Sequence, residues 1–483
     1  MRVMEMEIKK SNFSDWYNTI TKDAELCDLR YGIKGFVVFR PWAVMTMNRM
    51  YAMYEWAVES RGHLPALFPA LIPESYFTRE SDHVKGFVPE VFWVTEAGIN
   101  KLEEKCAMRP TSETAMYSMY ALWIHGTRDL PLKMYQRCQV WRHETKATKP
   151  FIRSREFHWI EAHDCFATRE EAIAQVKEDM EMAEEVIHQQ FGVPFLFFRR
   201  PQWDKFAGAE DTFAADTLMP DGRALQLPST HMLGQHFSKA FGIKFTDDSG
   251  KDQYVWQTCY GPCISRIYAA VIATHGDDKG LVFPVRLAPV QVVIVPIIKE
   301  ETRDRVMERC IEVAKSIACC FIVKIDDSDR TPGFKFNEWE MKGVPIRIEI
   351  GMRDVEANIA IVVRRDTGEK IKVKTEDLEK QLHEIAPSID KMLLERADKW
   401  FSDKLSQAGT MDELAKKLEL HGFVRVPFCS DGMEGEKCAD IVKDKVQANI
   451  RGSLFGSEEK PKEEKCIACG NKAAIYVYAA KQY

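Results

Sequence analysis

Apolar positions in the first half of the chain recur with a spacing that predicts two long helices. Residues 41–61 form the first, opened by a proline and followed by Gly62, which suits a helix end. Residues 168–191 are predicted to form the second, since Thr168 and Glu171 make a capping box at its start. The Met, Tyr and Trp residues of the first helix suit either core packing or a subunit interface, and both interpretations stay open.

Between and after these helices, shorter alternating or apolar segments predict strands. Turn signals separate them, such as the Met-Pro-Asp-Gly sequence at 219–222. The predicted strands are residues 140–144, 156–166, 212–218 and 223–227. Strands grouped together, with helices set apart, favour an α+β domain built on an antiparallel sheet.

From about residue 288 the pattern changes to alternating strands and helices. The predicted series is strand 290–298, helix 300–319, strand 321–325, a helix near 334–342 and strand 345–351. This order is typical of an α/β domain with a parallel or mixed sheet. Beyond about residue 376 the chain is helical and charged and ends in a cysteine-containing segment, which predicts a third, small domain. The expected domains are residues 1–287, 288–390 and 391–483.

Composition narrows the class of protein. The 483 residues are 45% hydrophobic and 29% charged, which excludes a disordered or collagen-like chain. No apolar run approaches the ~18 residues of a membrane helix, and the N-terminus lacks a secretory signal, so a cytoplasmic protein without a membrane partner is expected. Its 13 cysteines would then be reduced. Because the net charge is −6, any polyanion would have to be met by a local basic patch.

The clearest candidate chemistry lies on two segments that are predicted to be neighbouring strands. Side chains two apart share one face of a strand, so Arg142 and Glu144 are expected to point the same way. The next strand would carry a row of Phe157, Trp159 and Glu161. Together these residues offer an arginine for a phosphate, a carboxylate for an amino group and aromatic rings for a base or an apolar ligand.

The chain lacks both common glycine-rich phosphate-binding sequences, GxxxxGK[S/T] and a GxGxxG that opens a helix. A bound nucleotide would therefore have to be held by arginines. Arg142, Arg153 and Arg266 are the candidates. Each arginine taken alone suits an ordinary solvated or structural ion pair, and their positions around the same strands favour a site.

The segment Arg-Pro-Thr-Ser-Glu-Thr at 109–114 starts a predicted helix and has two interpretations. In the first it is a helix cap with an acid in the first turn. In the second, Thr111 and Glu113 form a small polar trap for a ligand ammonium group.

Taken together, these segments resemble the class II aminoacyl-tRNA synthetases and, within them, the prolyl-tRNA synthetases of the archaeal and eukaryotic type. Seven segments match in the family's order over nearly the whole chain, which is far more specific than any one match. They are PTSET at 110–114, WRHE at 141–144, IRSREFHW at 152–159, KFAGAE at 205–210, QLPSTHMLGQ at 226–235, GPCISR at 261–266 and NEWEMKGVPIRIEIG at 337–351. The resemblance implies a class II catalytic core on an antiparallel sheet, an α/β anticodon-binding domain and a small zinc-binding α/β domain.

The activity that the resemblance implies is a proline–tRNA ligase with adjoining sites for ATP and proline. Arg142 would grip the α-phosphate and Arg266 an outer phosphate, and these two arginines would be the catalytic residues. The ATP-binding residues would be Arg142, Glu144 facing adenine, Arg153, Ser154, Phe157 stacked on adenine, Gln226, Ser229 and Arg266. The proline-binding residues would be Thr111, Glu113, Arg142, Trp159, Phe206 and His231.

The expected chemistry suits these residue types. Attack of a carboxylate on the α-phosphate gathers charge on phosphoryl oxygens, so guanidinium groups and Mg²⁺ lower the barrier by electrostatics and positioning. A pocket for proline is expected to reject alanine and cysteine poorly, since a missing methylene is worth only ~1–3 kcal/mol.

Arg142 and Arg266 are too close in the chain for the editing insert that bacterial-type relatives carry between these motifs. The chain is therefore not expected to hydrolyse misacylated tRNA itself. Cys263 stands where the family pattern differs, and it is expected to alter the pocket floor.

tRNA(Pro) is the macromolecular partner that the resemblance implies. The basic loop at 145–155 would lie where the acceptor end approaches, although such a loop is also often simply solvated. Residues 288–375 resemble the family's anticodon-binding domain, with Glu340 and Arg347 as candidate tRNA-binding residues. A surface helix with charges has the same pattern.

By the same resemblance, the helix from Pro41 and a strand around Pro69 are the dimer-forming motif, which predicts a homodimer. A terminal tyrosine carboxylate reaches toward the active site in the family. Tyr483 is therefore expected to be more than a frayed end, the alternative being a disordered terminus.

The tail carries a candidate structural zinc site. The predicted ligands are Cys429, Cys438, Cys466 and Cys469, the last two in a Cys-Ile-Ala-Cys-Gly knuckle pattern. The alternative is four unrelated reduced thiols. A closed four-thiolate zinc would hold together a small domain with little core.

Two other functions fit parts of the pattern. A catalytically inactive synthetase-like tRNA-binding or regulatory protein would keep the fold, but it would be expected to lose its phosphate-binding arginines first, and Arg142 and Arg266 are present. A class II synthetase for another small amino acid, such as threonine, would be expected to use a zinc in the catalytic site, whereas the cysteine cluster lies in the tail.

Overall fold

The computed structural model describes residues 9–79 and 91–483. Before residue 288, helices pack on a large antiparallel sheet. The described helices of this part are α1 (Phe13–Asp23), α2 (Pro41–Glu59), α3 (Glu74–Phe77), α4 (Glu113–Trp123), α5 (Arg169–Ala183), α6 (His236–Phe241) and α7 (Ile264–His275). The described strands are β1 (Cys27–Asp28), β2 (Val38–Phe39), β3 (Leu64–Pro65), β4 (Leu71–Pro73), β5 (Trp93–Ala97), β6 (Asn100–Met108), β7 (Leu132–Trp141), β8 (Glu156–Phe166), β9 (Leu196–Arg199), β10 (Asp211–Leu218), β11 (Ala224–Gly234), β12 (Lys244–Thr246), β13 (Asp252–Tyr254) and β14 (Trp256–Tyr260).

The central sheet confirms the α+β prediction. Its order is β9-β10-β11-β14-β8-β7, every neighbour in this series is antiparallel, and β3 adds parallel to β7. The strand predicted at 140–144 is wrong in its extent, because β7 stops at Trp141 and the chain turns into the loop that leads to β8. Arg142 and Glu144 therefore lie in that loop and not on a strand. The strand predicted at 223–227 runs on to Gly234, because it is paired on both sides.

The two predicted helices are confirmed, with changes at their ends. α2 starts at Pro41, and Gly62 past its end has a φ of +87°, a conformation that favours glycine. The Thr168–Glu171 capping box at the start of α5 is formed in both directions. The last turns of that helix, Glu184–Gln190, are π-helical. Pro69, predicted to lie in a strand, falls between β3 and β4.

The second part of the chain confirms the predicted βαβαβ series. Its described elements are β15 (Val292–Ile297), α8 (Arg303–Ile317), β16 (Val323–Ile325), α9 (Pro332–Met341), β17 (Ile346–Gly351), α10 (Met352–Ala357), β18 (Ile359–Arg364), β19 (Lys370–Lys374) and α11 (Leu378–Ser402). The sheet order is β16-β15-β17-β18-β19, with the first two pairs parallel and the others antiparallel. The sheet is therefore mixed.

The C-terminal part adds strands to the central sheet. Its described elements are β20 (Leu405–Gln407), α12 (Met411–Glu419), β21 (Phe423–Phe428), α13 (Glu436–Val446), β22 (Asn449–Leu454) and β23 (Ile475–Ala480). β22 pairs with β9, so the described sheet continues through β22, β23, β21 and β20. The division at residue 390 stays a proposal, and that position falls inside the continuous helix α11. None of the helices in the described ranges is long and apolar enough to cross a membrane.

Candidate active site

Two adjoining cavities, of about 230 and 140 Å³, open on the face of the central sheet. Their shared wall includes Arg142, Phe157, Cys263 and Arg266. The larger cavity is also lined by Thr111, Glu113, Trp159, Phe206, Gln226, Ser229 and His231. The smaller one is also lined by Glu144, Arg153 and Ser154. The fold thus brings all the residues predicted to bind ATP and proline around one double cavity.

Arg142 lies on the wall between the two cavities. Its Nε donates to the Pro110 carbonyl at 3.0 Å, and its guanidinium carbon is 5.2 Å from the Phe157 ring centre and 5.7 Å from that of Trp159. The two rings meet edge to face, with centroids 5.6 Å apart. Cation–π contact and a hydrogen bond to one backbone acceptor therefore help to hold the guanidinium at the wall that the two cavities share.

Arg266 approaches the same wall from the first turn of α7. Its Nη1 donates to the Gln226 carbonyl at 3.2 Å. Across the described chain, its buried Nε and the buried Nε1 of Trp159 have no hydrogen-bond partner. Buried donors are normally satisfied, so both atoms are suited to meet a ligand acceptor in the cavity.

Glu113 is 2% exposed at the start of α4, and the Thr111 hydroxyl donates to its carboxylate at 2.5 Å. The helix begins where the cap interpretation places it, but the N-terminal cap residue, Ser112, makes no side-chain capping bond. Its hydroxyl donates instead to Glu161. Thr111 and Glu113 both line the larger cavity, and their role as a polar trap for an ammonium group stays a prediction.

The row of side chains that β8 presents to the cavity has one more member than predicted, His163. Glu161 pairs with His163 at 3.2 Å and accepts from Gln136 Nε2 at 2.8 Å and from Ser112. Burial works to raise the pKa of Glu161, but the hydrogen bonds from His163, Ser112 and Gln136 outweigh it and lower the pKa to about 2. The alternation of Phe157, Trp159 and Glu161 was the signal that could have added His163, which also lines the cavity.

His231 and Phe206 form the apolar end of the larger cavity, with ring centroids 4.7 Å apart. The imidazole nitrogens lie 2.9 Å from the Thr212 hydroxyl and 3.0 Å from that of Ser229. Burial, together with the nearby His163, Arg200 and Arg142, lowers the pKa of His231 to about 3. The ring is therefore neutral at physiological pH and suits an aliphatic ligand group.

The loop between β7 and β8 carries the smaller cavity. The Glu144 carboxylate is 3.5 Å from Nε of Arg153, and the Ser154 hydroxyl donates to the Glu156 carbonyl at 2.5 Å. The Cys263 thiol lies 3.4 Å from the Ser265 hydroxyl at the start of α7. Cys263 lines both cavities, and its expected effect on the pocket floor stays a prediction.

Three family models match successive parts of the chain. They are "tRNA synthetase class II core domain (G, H, P, S and T)" over residues 92–275, "Anticodon binding domain" over 291–385 and "Prolyl-tRNA synthetase, C-terminal" over 411–483. The proline–tRNA ligase of Thermofilum pendens is 50% identical over 481 residues, covering 98% of each chain. The chain belongs to the prolyl-tRNA synthetase family.

Other members of the prolyl-tRNA synthetase family agree over the same length. The proline–tRNA ligase of Pyrococcus abyssi is 41% identical, covering 98% of each chain. The structure of Giardia lamblia prolyl-tRNA synthetase in complex with prolyl-adenylate matches with a TM-score of 0.94 and 37% identity, covering 98% of this chain and 99% of that one. The chain is therefore an enzyme, a class II aminoacyl-tRNA synthetase. Neither the inactive-homologue interpretation nor a synthetase for another amino acid receives support.

The two candidate tRNA-binding residues of this family member lie together. Arg347 on β17 is 3.1 Å from Glu340 at the end of α9 and 3.0 Å from Glu349. Its guanidinium carbon is 4.3 Å from the Phe336 ring centre. Arg347 is only 8% exposed. Glu340, at the rim of this ion-pair network, is the more accessible of the two candidates.

The four tail cysteines converge, as predicted from their spacing. Their Sγ atoms all lie within 4.8 Å of one another, and those of Cys429 and Cys438 are 3.5 Å apart. A tetrahedral zinc with Zn–S bonds of about 2.3 Å places its sulfur atoms roughly 3.8 Å apart. The cluster therefore fits a four-thiolate zinc.

Tyr483 lies between the turn that joins β10 to β11 and the loop that joins β7 to β8. The Tyr483 hydroxyl donates to Asp221 at 2.6 Å, and its ring centre is 5.7 Å from Nζ of Lys149. It lines a wide cleft that also contains Arg153 and Arg223. Because Arg153 also lines the smaller cavity, the terminus lies next to the active-site loop.

Proposed function

We propose that the chain ligates proline to tRNA(Pro) in the double cavity described above. ATP and proline would first form prolyl-adenylate, and the prolyl group would then pass to the 3′ end of the tRNA. The observation that supports this most directly is the shared wall, where Arg142 and Arg266 lie between a buried carboxylate on one side and the loop carrying Arg153 on the other.

The smaller cavity and its shared wall suit ATP. Arg142 would hold the α-phosphate, Arg153 and Arg266 the outer phosphates, and Phe157 would stack on adenine while Glu144 accepts from its amino group. Ser154 from the smaller cavity, and Gln226 and Ser229 from the larger cavity that adjoins it, would complete the nucleotide side. Mg²⁺ would enter with the nucleotide, bound mainly by phosphate oxygens and water, and would help to neutralise the phosphates.

The larger cavity suits proline. The Glu113 carboxylate, fixed by Thr111, would bind the secondary ammonium group, and Arg142 would bind the carboxylate. Trp159, Phe206 and the neutral His231 would enclose the ring. This arrangement would put the proline carboxylate next to the arginine that holds the α-phosphate, so positioning and charge stabilisation would lower the barrier without covalent catalysis.

The pocket does not provide strong discrimination by size alone. Proline exceeds alanine and cysteine by few atoms, and each methylene is worth only ~1–3 kcal/mol in such a site. The segment from Arg142 to Arg266 is taken up by the sheet core from β8 to α7. This supports the expectation that misacylated tRNA is not corrected within the chain.

The tRNA would contact two parts of the molecule. Its acceptor end would meet the loop after β7, where Lys146, Lys149 and Arg155 accompany Arg153. The domain of residues 291–385 would bind the anticodon. Within it, Glu340 is the better candidate for reading a base, because Arg347 is buried in ion pairs.

The proposed quaternary structure is a cytoplasmic homodimer. Exposed hydrophobic side chains lie on α2, on the segment that follows it and on the far end of α4. They are Val44, Met45, Trp56, Leu64, Leu67, Leu71, Leu122 and Trp123. The Phe68 ring is 6.0 Å from Trp123, which joins the last two elements into one surface. Apolar side chains concentrated in this way mark an interaction surface, so the interface interpretation of the Met- and Trp-rich helix is preferred.

ATP–pyrophosphate exchange without tRNA tests the proposed reaction. The assay would compare proline, cysteine, alanine and threonine, with Arg142→Ala and with Arg169→Ala as a matched control. Arg169 is an exposed arginine on α5 that pairs with Glu210 outside both cavities. The wild-type protein should exchange most strongly with proline. The Arg142→Ala variant should exchange at least about 100-fold more slowly, because a group that stabilises phosphoryl charge is lost. The Arg169→Ala control should exchange as the wild type does. A folded wild-type protein that exchanges with none of the four amino acids would refute the proposal.

A further inference from the structure

A buried cluster of two arginines and one carboxylate joins the C-terminal domain to the nucleotide side of the active site. Asp216 on β10 accepts from Arg200, just after β9, at 2.7 and 3.0 Å. It also accepts from Arg451 on β22 at 2.7 and 3.1 Å. The exposed fractions are 2% for Arg200, 5% for Arg451 and 0% for Asp216. Both forks are bidentate, which fixes the direction of each guanidinium group.

The same Arg200 reaches Gln226, one of the proposed ATP-binding residues. Its Nη2 donates to Gln226 Oε1 at 3.1 Å, and its Nη1 donates to the backbone carbonyl of Arg451 at 2.7 Å. The Gln226 backbone carbonyl in turn accepts from Arg266. Because Arg200 takes the amide oxygen, the Nε2 donor of Gln226 is the group available to a ligand acceptor.

The backbone holds Arg451 in register with Arg200. Ser453 and Leu454 of β22 pair with Arg199 and Phe198 of β9. Gly452, next to Arg451, has a φ of +120°, and a Cβ there would lie 2.0 Å from the Arg199 carbonyl oxygen. The two strands can approach this closely only with glycine at that position.

The two arginines keep Asp216 in its charged form. Burial works to raise the pKa of Asp216, but Arg200 and Arg451 outweigh it and lower the pKa to about 2. Asp204 is a further carboxylate that acts on both arginines. Asp216 is therefore ionised at any pH at which the enzyme works, and the cluster acts by geometry.

We propose that Arg451 of the C-terminal domain is a positioning residue for ATP. Through Asp216 and Arg200 it sets the orientation of the Gln226 amide and so completes the nucleotide site from outside the catalytic domain. This inference rests on the proposed role of Gln226. It gives the C-terminal domain a part in adenylate formation that a structural attachment alone would not have.

The test uses Arg451→Lys, which keeps the charge and loses the fork, in the full-length, zinc-replete protein. KM for ATP and KM for proline are measured by ATP–pyrophosphate exchange. KM for ATP should rise about tenfold, while KM for proline stays within about twofold. Glu459→Gln is the control, since it breaks the 2.7 Å ion pair with Arg425 elsewhere in the same domain, and it should change neither constant.

A second variant covers the case in which Arg451→Lys does not fold. Gln482→Ala removes an acceptor of Arg451 Nη1 without stranding a charge, and it should raise KM for ATP about threefold. A double-mutant cycle with Gln226→Met tests whether Arg451 acts through the Gln226 amide. If it does, Arg451→Lys should change KM for ATP by less than about twofold in the Gln226→Met background, because the amide is already gone. An unchanged KM for ATP in the folded variants, or a full additional effect in the Gln226→Met background, would overturn the inference. A wild-type protein without exchange activity would instead refute the proposed function itself.

Discussion

Glu113 shows how a residue that could serve as an ordinary first-turn acid becomes a binding group. Its carboxylate is buried, and the hydroxyl of Thr111 occupies one side of one oxygen at 2.5 Å. The carboxylate lines the larger cavity together with aromatic, polar and charged side chains, and ligand atoms of Glu113, His163 and Cys259 all lie within 4.8 Å of one another. A buried carboxylate on a cavity wall suits an ammonium group better than it suits a neutral ligand.

Glu113→Gln should therefore weaken proline binding selectively. The amide keeps the shape but loses the charge that attracts the ammonium group, and a hydrogen bond to a charged group is worth about 1.5–3 kcal/mol. We expect KM for proline to rise about 10- to 100-fold and KM for ATP to change less than about threefold in the exchange assay. Glu210→Gln, at an exposed glutamate paired with Arg169, serves as the control. Equal rises in both constants would show that Glu113 acts on the whole site rather than on proline.

At the scale of elements, His188 links the π-helical end of α5 to α11. Its Nδ1 is 2.5 Å from Glu184, and its Nε2 is 2.7 Å from Asp398. The hydrogen bond that His188 donates to Glu184, with a further contribution from Asp398, outweighs burial and raises the pKa of His188 to about 9. The charged imidazole thus holds together a helix of the catalytic core and the long helix that follows the second domain.

The raised pKa sets the pH window of this contact. The charged His188 stabilises the folded state fully below pH 6.5, the pKa of the histidine in the unfolded chain. This stabilisation is lost as the pH rises through about 9, the pKa of His188 in the folded protein. His188→Gln should therefore lower the thermal midpoint at pH 6, by an amount equivalent to roughly 1 kcal/mol after allowance for solvent screening, and should have little effect at pH 9.5. His383→Gln, at an exposed histidine on α11, is the matched control. A loss of stability that is equal at both pH values would mean that the charge of His188 is not involved.

At the scale of the whole molecule, the cysteine cluster and the shared sheet tie the C-terminal domain to the active site. The domain has a small core, and the four thiols close it at one end. Because binding of a structural zinc contributes directly to folding, the metal would stabilise β21 and, through the sheet, β22.

Cys469→Ser should lower the zinc content from about one ion per chain to near zero, because the loss of one thiolate opens a four-ligand site. The same variant should lower the thermal midpoint. Cys320→Ser, at an exposed cysteine of the second domain, should leave both unchanged. The measurements are metal analysis by mass spectrometry and thermal unfolding with and without a chelator. Full zinc retention in Cys469→Ser would refute the proposed ligand set.

Local sequence determined much of this molecule. The helix starts at Pro41 and Thr168 follow from proline geometry and side-chain capping, which act within one turn, and the βαβαβ series of the second domain follows from hydrophobic spacing. Ordered motifs also identified the family and the side chains that line the double cavity. Their chemistry is carried by residue type, which the sequence states directly.

Tertiary structure decided what depends on contacts between distant segments. β7 ends at Trp141, so Arg142 is fixed by the rings of β8 and not by a strand of its own. Arg347 proved to be buried in ion pairs, although its local sequence is that of a charged surface. Arg451 lies 235 positions from Asp216 in the chain, and only the pairing of β22 with β9 brings them together. Contacts of this range arise from packing, which no local pattern of residues records.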